Sequence, residues 1–476
     1  MTRTTLASLA LTFGVAACGG NGAEPTTVKD RLTETLPGLL SSTNGALAFI
    51  DDAETLNGID ESLATLDGAF QNLPFSLSPA AGEEDPFAGD GDVQEEEIDG
   101  AQLADELAQT IFSDANYVGN GDYRLRGEDF CGDSEGGLDP ECVANFDAAR
   151  VVIHVEKAGD GLDFTLGIGP DRAEPLTLEL RSNRLTVAVD LAETKDAAAH
   201  LAALAGESIA LPETFEGVIA ASLIVNAPQN VSIQLAARTT VAIDGEFNGD
   251  RLAFSTAARD PMFGVDINAA DRTLGAAIDI GPTKIEGPWE SFADQTLATG
   301  NLAVDWKGLS AGVTLADGDE TLTVENIGLG AGTSTISLDE FTLLSVDLNP
   351  DAGRAFDFTI APSGDGLPIL GVDPAFDLTL AFDLSPLAAA GDAVESYLLS
   401  DTYRIALSGQ TPTLQPVAQN AATGFGGGLA VRSGSLSISS NDASVSVAAG
   451  QCLVNVASPE PGSHPVLGSL AAGACE

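Results

Sequence analysis

The chain has 476 residues, 44% hydrophobic and 19% charged. That is enough apolar material for a sizeable core and argues against wholesale disorder. Twenty Lys and Arg against 71 Asp and Glu leave a formal charge of −51, and a surface this acidic repels phosphate backbones, which argues against nucleic acid as a partner.

Residues 1–20 read MTRTTLASLALTFGVAACGG. Arg3 gives a positive start, and Leu6 to Ala17 form an apolar stretch of 12 residues. A membrane-spanning helix needs about 20, so residues 1–17 read as an export signal and not as an anchor. Val15-Ala16-Ala17-Cys18 places an apolar residue and two small residues before a Cys, and this resembles the lipobox of bacterial lipoproteins. The resemblance implies that the Cys18 thiol takes a diacylglyceryl group and that cleavage before it leaves Cys18 as the acylated first residue. Gly19 stands where Asp would mark retention at the inner membrane, so the resemblance implies an outer-membrane location, on the periplasmic or the surface side. One acyl chain binds a bilayer only marginally, at about 0.8 kcal/mol per buried methylene, whereas two or three make a stable anchor. The likeness covers these 20 residues only.

Five Cys are present. With Cys18 acylated, Cys131, Cys142, Cys452 and Cys475 remain, an even number that suits an exported protein. Of the three connectivities open to four Cys, the local one is preferred, Cys131 with Cys142 and Cys452 with Cys475. Each bridge would close a short loop and contribute roughly 3 kcal/mol. No C-x-x-C spacing occurs, so neither a metal site nor a cofactor is expected.

Beyond a flexible tether at 18–27, residues 28–78 show helical spacing. Leu32, Leu36, Leu39 and Leu40 recur at i, i+4, i+7 and i+8, and Ile59, Leu63, Leu66 and Phe70 repeat the pattern, with a break expected over Ser41–Gly45. Residues 79–100 are acidic, rich in Gly and free of Lys and Arg, which reads as a solvated linker. Its Asp90 and Asp92 lack the ordered alternation of an EF-hand calcium loop. Residues 101–145 hold a short amphipathic helix (Leu103, Leu107, Ile111) and a turn-rich module clipped by the first Cys pair. From Phe146 to about residue 457 the period becomes two. RLTVAVDL puts Leu185, Val187, Val189 and Leu191 on one side, NVSIQLAA aligns Val231, Ile233 and Leu235, and AFDLTLAFDL aligns Phe376, Leu378, Leu380, Phe382 and Leu384. Asn248-Gly249 between alternating runs signals a hairpin. Helical interruptions are expected at 194–206 and 386–400, and residues 458–476 form a disulfide-clipped tail. The predicted fold is mainly β: a large antiparallel meander of roughly twenty strands of ordinary length, as a sandwich or a closed or half-open barrel-like sheet. Short amino-terminal helices pack on it.

Gly308-Leu309-Ser310-Ala311-Gly312 matches the serine-hydrolase pattern G-x-S-x-G, but a strand follows where the chemistry needs a helix, so a hairpin turn is the preferred reading. His154 and His200 have no evident carboxylate or Cys partner in sequence and read as structural. His464 is isolated in the tail. Gly424–Gly428 misses the phosphate-loop pattern, because Leu429 stands at its last position. Asp377 and Asp383 share a strand face about 20 Å apart, too far for a glycosidase pair. No catalytic residue is assigned and an enzyme is not expected. The leading functional reading is a lipid-anchored envelope protein with a structural or surface-interaction role, meeting the membrane through its lipid and an envelope protein as partner. The alternative is a carrier that holds a hydrophobic ligand, a lipid, between sheet and helical lid, and a serine hydrolase comes last. A filled or an empty apolar interior separates the first two.

Overall fold

A computed structural model describes residues 22–52, 100–131, 139–206, 209–247, 250–288, 300–316, 322–348, 355–361, 369–383, 400–417, 428–455, 464 and 467–475. Cys18, the repeat at 59–70, the acidic stretch 79–99 and the Gly-rich segment 424–427 lie outside them. So does the helix expected at 386–400, except Ser400, which opens a strand. The 27 described strands pair antiparallel throughout. The fold is therefore mainly β, as the alternation predicts. Two compact units divide at Ala270 and Asp271.

In the first unit, helix α1 (Pro25–Asp52) runs unbroken through Ser41–Gly45, where the sequence predicts a stop. The Thr43 hydroxyl donates to the Leu39 carbonyl at 2.8 Å within the helix, so it does not divert the backbone into a turn. The tether is shorter than expected. Gly22 bridges to Glu156, the buried Ala23 donates its N–H to Val155 O at 2.8 Å, and the Tyr123 hydroxyl donates to Ala23 O at 2.9 Å. Helix α2 (Gly100–Thr110) lies where the spacing places it. Leu32, Leu36, Leu39 and Ala104 of these helices join Phe112, Tyr123, Ile153, Val155, Phe164 and Leu180 in one buried cluster. The helices thus cover the apolar face of the sheet here.

That sheet begins with β1 (Tyr117–Gly119) and β2 (Asp122–Arg124). Helices α3 (Gly127–Phe130) and α4 (Pro140–Ala149) follow, and α4 is capped by Asp139, whose carboxylate accepts from the Glu141 and Cys142 N–H groups. Phe146 therefore lies in a helix, and regular alternation starts only at β3 (Val152–Ala158). Next come β4 (Gly161–Ile168), β5 (Ala173–Arg181) and β6 (Arg184–Asp190). Asp190 caps α5 (Leu191–Ala205), the helix expected at 194–206, and Leu191 opens it instead of continuing the strand face. After it run β7 (Thr214–Glu216), β8 (Val218–Ala227), β9 (Asn230–Ala237), β10 (Val241–Phe247), β11 (Asp250–Thr256) and β12 (Arg259–Asn268). Pairing orders one wall as β1–β2–β3–β4–β5–β6–β8–β9–β12 and a second as β7–β10–β11.

The second unit comprises β13 (Thr273–Ile280), β14 (Thr283–Pro288), β15 (Asn301–Trp306), β16 (Leu309–Ala316), β17 (Leu322–Leu329), β18 (Ser334–Leu338), β19 (Phe341–Leu348), β20 (Ala355–Ala361), β21 (Ile369–Asp373), β22 (Asp377–Asp383), β23 (Ser400–Val417), β24 (Gly428–Ser439), β25 (Ser444–Ala448), β26 (Gln451–Asn455) and β27 (Leu470–Ala474). Its first wall is β13–β16–β17–β20–β21, continued by the second part of β23, the first part of β24, β26 and β27. Its second wall is β14–β15–β18–β19–β22, continued by the first part of β23, the second part of β24 and β25. Because β23 and β24 run through both, the walls are two halves of one creased sheet. The tail at 458–476 contributes β27 to it.

The crease falls at glycines with positive φ: Gly308 and Gly332 between strands, Gly409 and Gly434 within β23 and β24, and Gly450 between β25 and β26. Gly409 has φ +120°, and a Cβ there would come within 2.8 Å of the Gly434 Cα on the neighbouring strand. Two backbones can meet at this bend only without side chains. The fold is toward the apolar face, because Leu370, Val372, Leu414 and Val431 of the first wall share one buried cluster with Leu407, Leu436, Ile438 and Val447 of the second. Gly409→Val is expected to cost about 2 kcal/mol or more from left-handed strain and the close approach. Gly159→Ala, at φ +61° with nothing within 4 Å, is expected to cost roughly half as much; urea midpoints compare the two.

Candidate functional site

Residues directly opposed in an antiparallel pair share a face, so register maps the interior of the second unit. On the first wall Leu274, Ala276, Ile278 and Ile280 oppose Leu315, Val313, Ala311 and Leu309. The face continues through Val324 and Ile327 to Phe358 and Phe356. On the second wall Ile285 opposes Val304, Val304 opposes Ile336, and Ile336 opposes Leu344, which opposes Phe382. The other face is polar: Asp279, Lys284, Glu286, Thr314 and Glu325 are exposed, and serines pair across strands (Ser408 with Ser435, Ser437 with Ser446).

Burial along this apolar face changes in a definite place. From β23 to β26 most of its side chains are buried, among them Leu407, Leu414, Leu436, Val447 and Leu453, while Tyr403 and Ile405 are half-buried. On the first wall those from β13 to β20 are half-buried; on the second, Ile285, Val304, Ile336, Leu344 and Phe382 are half-buried, whereas Leu302, Leu338 and Leu348 on the same face are buried. The result is an apolar trough, shut at the β23–β26 end and least covered along β13–β20 of the first wall. The first unit carries a smaller feature of the same kind, where Leu235 and Phe263 oppose each other on the apolar face at 38% and 43% exposure.

The shut end is held by a polar pair. Asp401 opposes Phe382 on the inward face of β23. His464 Nε2 lies 2.6 Å from Asp401 Oδ2, both side chains 7% exposed. The Leu467 N–H donates to His464 Nδ1 at 3.1 Å, which leaves the proton on Nε2 to donate to Asp401. The Tyr403 ring meets the imidazole edge-on. Leu467 and Leu470, just beyond, are buried in the cluster between the walls. His464 is therefore not isolated: it latches the tail into the end of the trough, with both ring nitrogens engaged. Burial raises the pKa of the Asp401 carboxyl, but hydrogen bonds from His464 and the Thr402 N–H outweigh it and hold it below the ordinary range. A depressed carboxylate contributes stability above its unfolded value near 3.9, and that contribution is lost as pH falls through the folded value. Asp401→Asn is expected to lower stability at neutral pH by about 1–3 kcal/mol and to flatten the loss below about pH 4, as read by denaturation at several pH values.

The other candidates separate. Cys131–Cys142 and Cys452–Cys475 are disulfides, with Cα atoms 5.7 and 5.1 Å apart. Ser310 is not in a hairpin turn. It stands inside β16, beyond the bend at Gly308, and donates to Asn326 O at 2.8 Å. His154 does have a carboxylate partner. It opposes Asp122 across β2 and β3, with Nδ1 2.6 Å from Oδ1, and Arg172 reaches the same oxygen at 3.2 Å. The sequence hides this pair because 32 residues separate its members. The Nε2 atoms of His154 and His200 are buried without a hydrogen-bond partner among the described residues. Asp377 holds Arg404 through both carboxylate oxygens. Among the described residues no group of three His, Cys, Asp or Glu could hold a metal ion, and no helix is long and apolar enough to cross a membrane. No family model, no curated protein and no solved structure matches the chain.

Proposed function

We propose that this protein is a non-catalytic lipoprotein of the cell envelope, anchored through an acylated Cys18, that holds a hydrophobic ligand against the apolar face of its creased sheet. One observation carries the reading: on the first wall the inward apolar side chains are half-buried from β13 to β20, whereas most of those from β23 to β26 are buried. A side chain kept partly in water forgoes part of the roughly 25 cal/mol per Å² that full burial provides. A continuous apolar surface of this kind is the signature of a binding groove. The structural role that the sequence puts first requires a filled interior, which the β23–β26 end and the buried Leu302, Leu338 and Leu348 of the second wall favour, whereas the first wall from β13 to β20 does not. Anchorage rests on Val15-Ala16-Ala17-Cys18 alone, with the outer membrane as the expected site.

Native mass spectrometry of the protein extracted from its own envelope is expected to show a bound lipid, whereas a ligand-free protein or a co-purified protein partner would favour the structural role. Cys18→Ser is expected to release the protein from the membrane fraction, and normal processing and membrane retention of that variant would remove the anchor. Ala311, half-buried at the middle of the first wall, offers a blocking position: Ala311→Trp is expected to cut ligand retention by about tenfold by filling the groove, with circular dichroism confirming the fold.

A further inference from the structure

We infer that the ligand is a membrane lipid with an uncharged or zwitterionic headgroup, held by one acyl chain lying across the strands of the second unit; this rests on the ligand-holding reading above. Length sets the occupant. The half-buried lining runs unbroken across β13, β16, β17 and β20 of the first wall. Three strand spacings amount to about 14 Å. A lipid leaflet is half of a hydrocarbon core about 30 Å thick, so one acyl chain at its membrane extension spans about 15 Å. The buried cluster of β23–β26 forms a blind end, where the terminal methyl stops.

Charge sets the headgroup. No Lys or Arg lies on the inward face of this lining among the described residues. Lys284 and Lys307 both approach Asp305, and Asp305 alternates with the inward Val304 and Trp306 and so faces outward. Among the described residues, the turns at the strand ends away from the crease expose Asp271, Asp339, Glu340 and Asp442 against Arg272. A lipid phosphate without a balancing charge would find no cation inside and carboxylates at the rim, on a chain of net charge −51. Those carboxylates act within a Debye length of about 8 Å at physiological salt.

The test mixes the purified full-length protein with vesicles of phosphatidylcholine or of phosphatidylglycerol with identical acyl chains, then separates the protein and counts retained lipid by native mass spectrometry. Phosphatidylcholine is expected to be retained over phosphatidylglycerol by about tenfold at low salt, with the preference shrinking at high salt. Glu340→Gln with Asp442→Asn, both in exposed turns, is expected to narrow the preference without reducing phosphatidylcholine uptake. Equal or better retention of phosphatidylglycerol, with uptake still blocked by Ala311→Trp, would overturn the headgroup assignment and leave the ligand-holding reading standing. Absence of any retained lipid, or unchanged uptake by a folded Ala311→Trp, would overturn the ligand-holding reading itself.

Discussion

A strand that alternates apolar and polar residues gives its sheet one face that water does not solvate well, and covering that face is the constraint on which this structure turns. The protein meets it by different means in different places. In the first unit two helices lie on the sheet and bury Leu32, Leu36 and Leu39 against Phe164 and Leu180. At the end of the second unit the sheet covers itself, because the crease brings Leu414 and Leu436 into one cluster. Along the first wall from β13 to β20 neither device is complete, and the inward side chains keep part of their surface in water.

The crease also shapes how the sheet meets solvent. One polar face turns outward along both walls of the second unit, stitched by cross-strand ion pairs such as Arg404 with Asp377 and Lys284 with Asp305. An open sheet must still end somewhere, and each end is a strip of unpaired backbone that invites another strand. Here the terminal strands β1 and β7 have three residues each, and β25 and β27 have five. Strips this short, on a chain this acidic, offer little to an unwanted neighbour.

The strands, the early helices and the local Cys pairs were legible because their signals are local. Period-two alternation marks Leu378, Leu380 and Phe382 whichever strand lies beside them, and a separation of 11 between Cys131 and Cys142 suffices for a bridge. The crease is not legible, since a Gly at a bend, within a strand as at Gly409 or between strands as at Gly308, and a Gly in a hairpin turn look alike in sequence. The Asp401–His464 latch was hidden by a separation of 63 residues. The stop expected at Ser41–Gly45 failed in the opposite direction. Local turn propensity was overridden by a helix whose buried face extends to Ala46.

The early start of folded structure at Gly22 has a mechanical side. Three residues lie between Cys18 and the bridge from Gly22 to Glu156, four steps of chain that reach at most about 14 Å when fully stretched. If the sulfur sits in a bilayer, β3 rides within roughly a headgroup layer of the lipid surface. The body then lacks the slack to drift far into the surrounding fluid, so exchange with the membrane would be a matter of tilting and sliding over it.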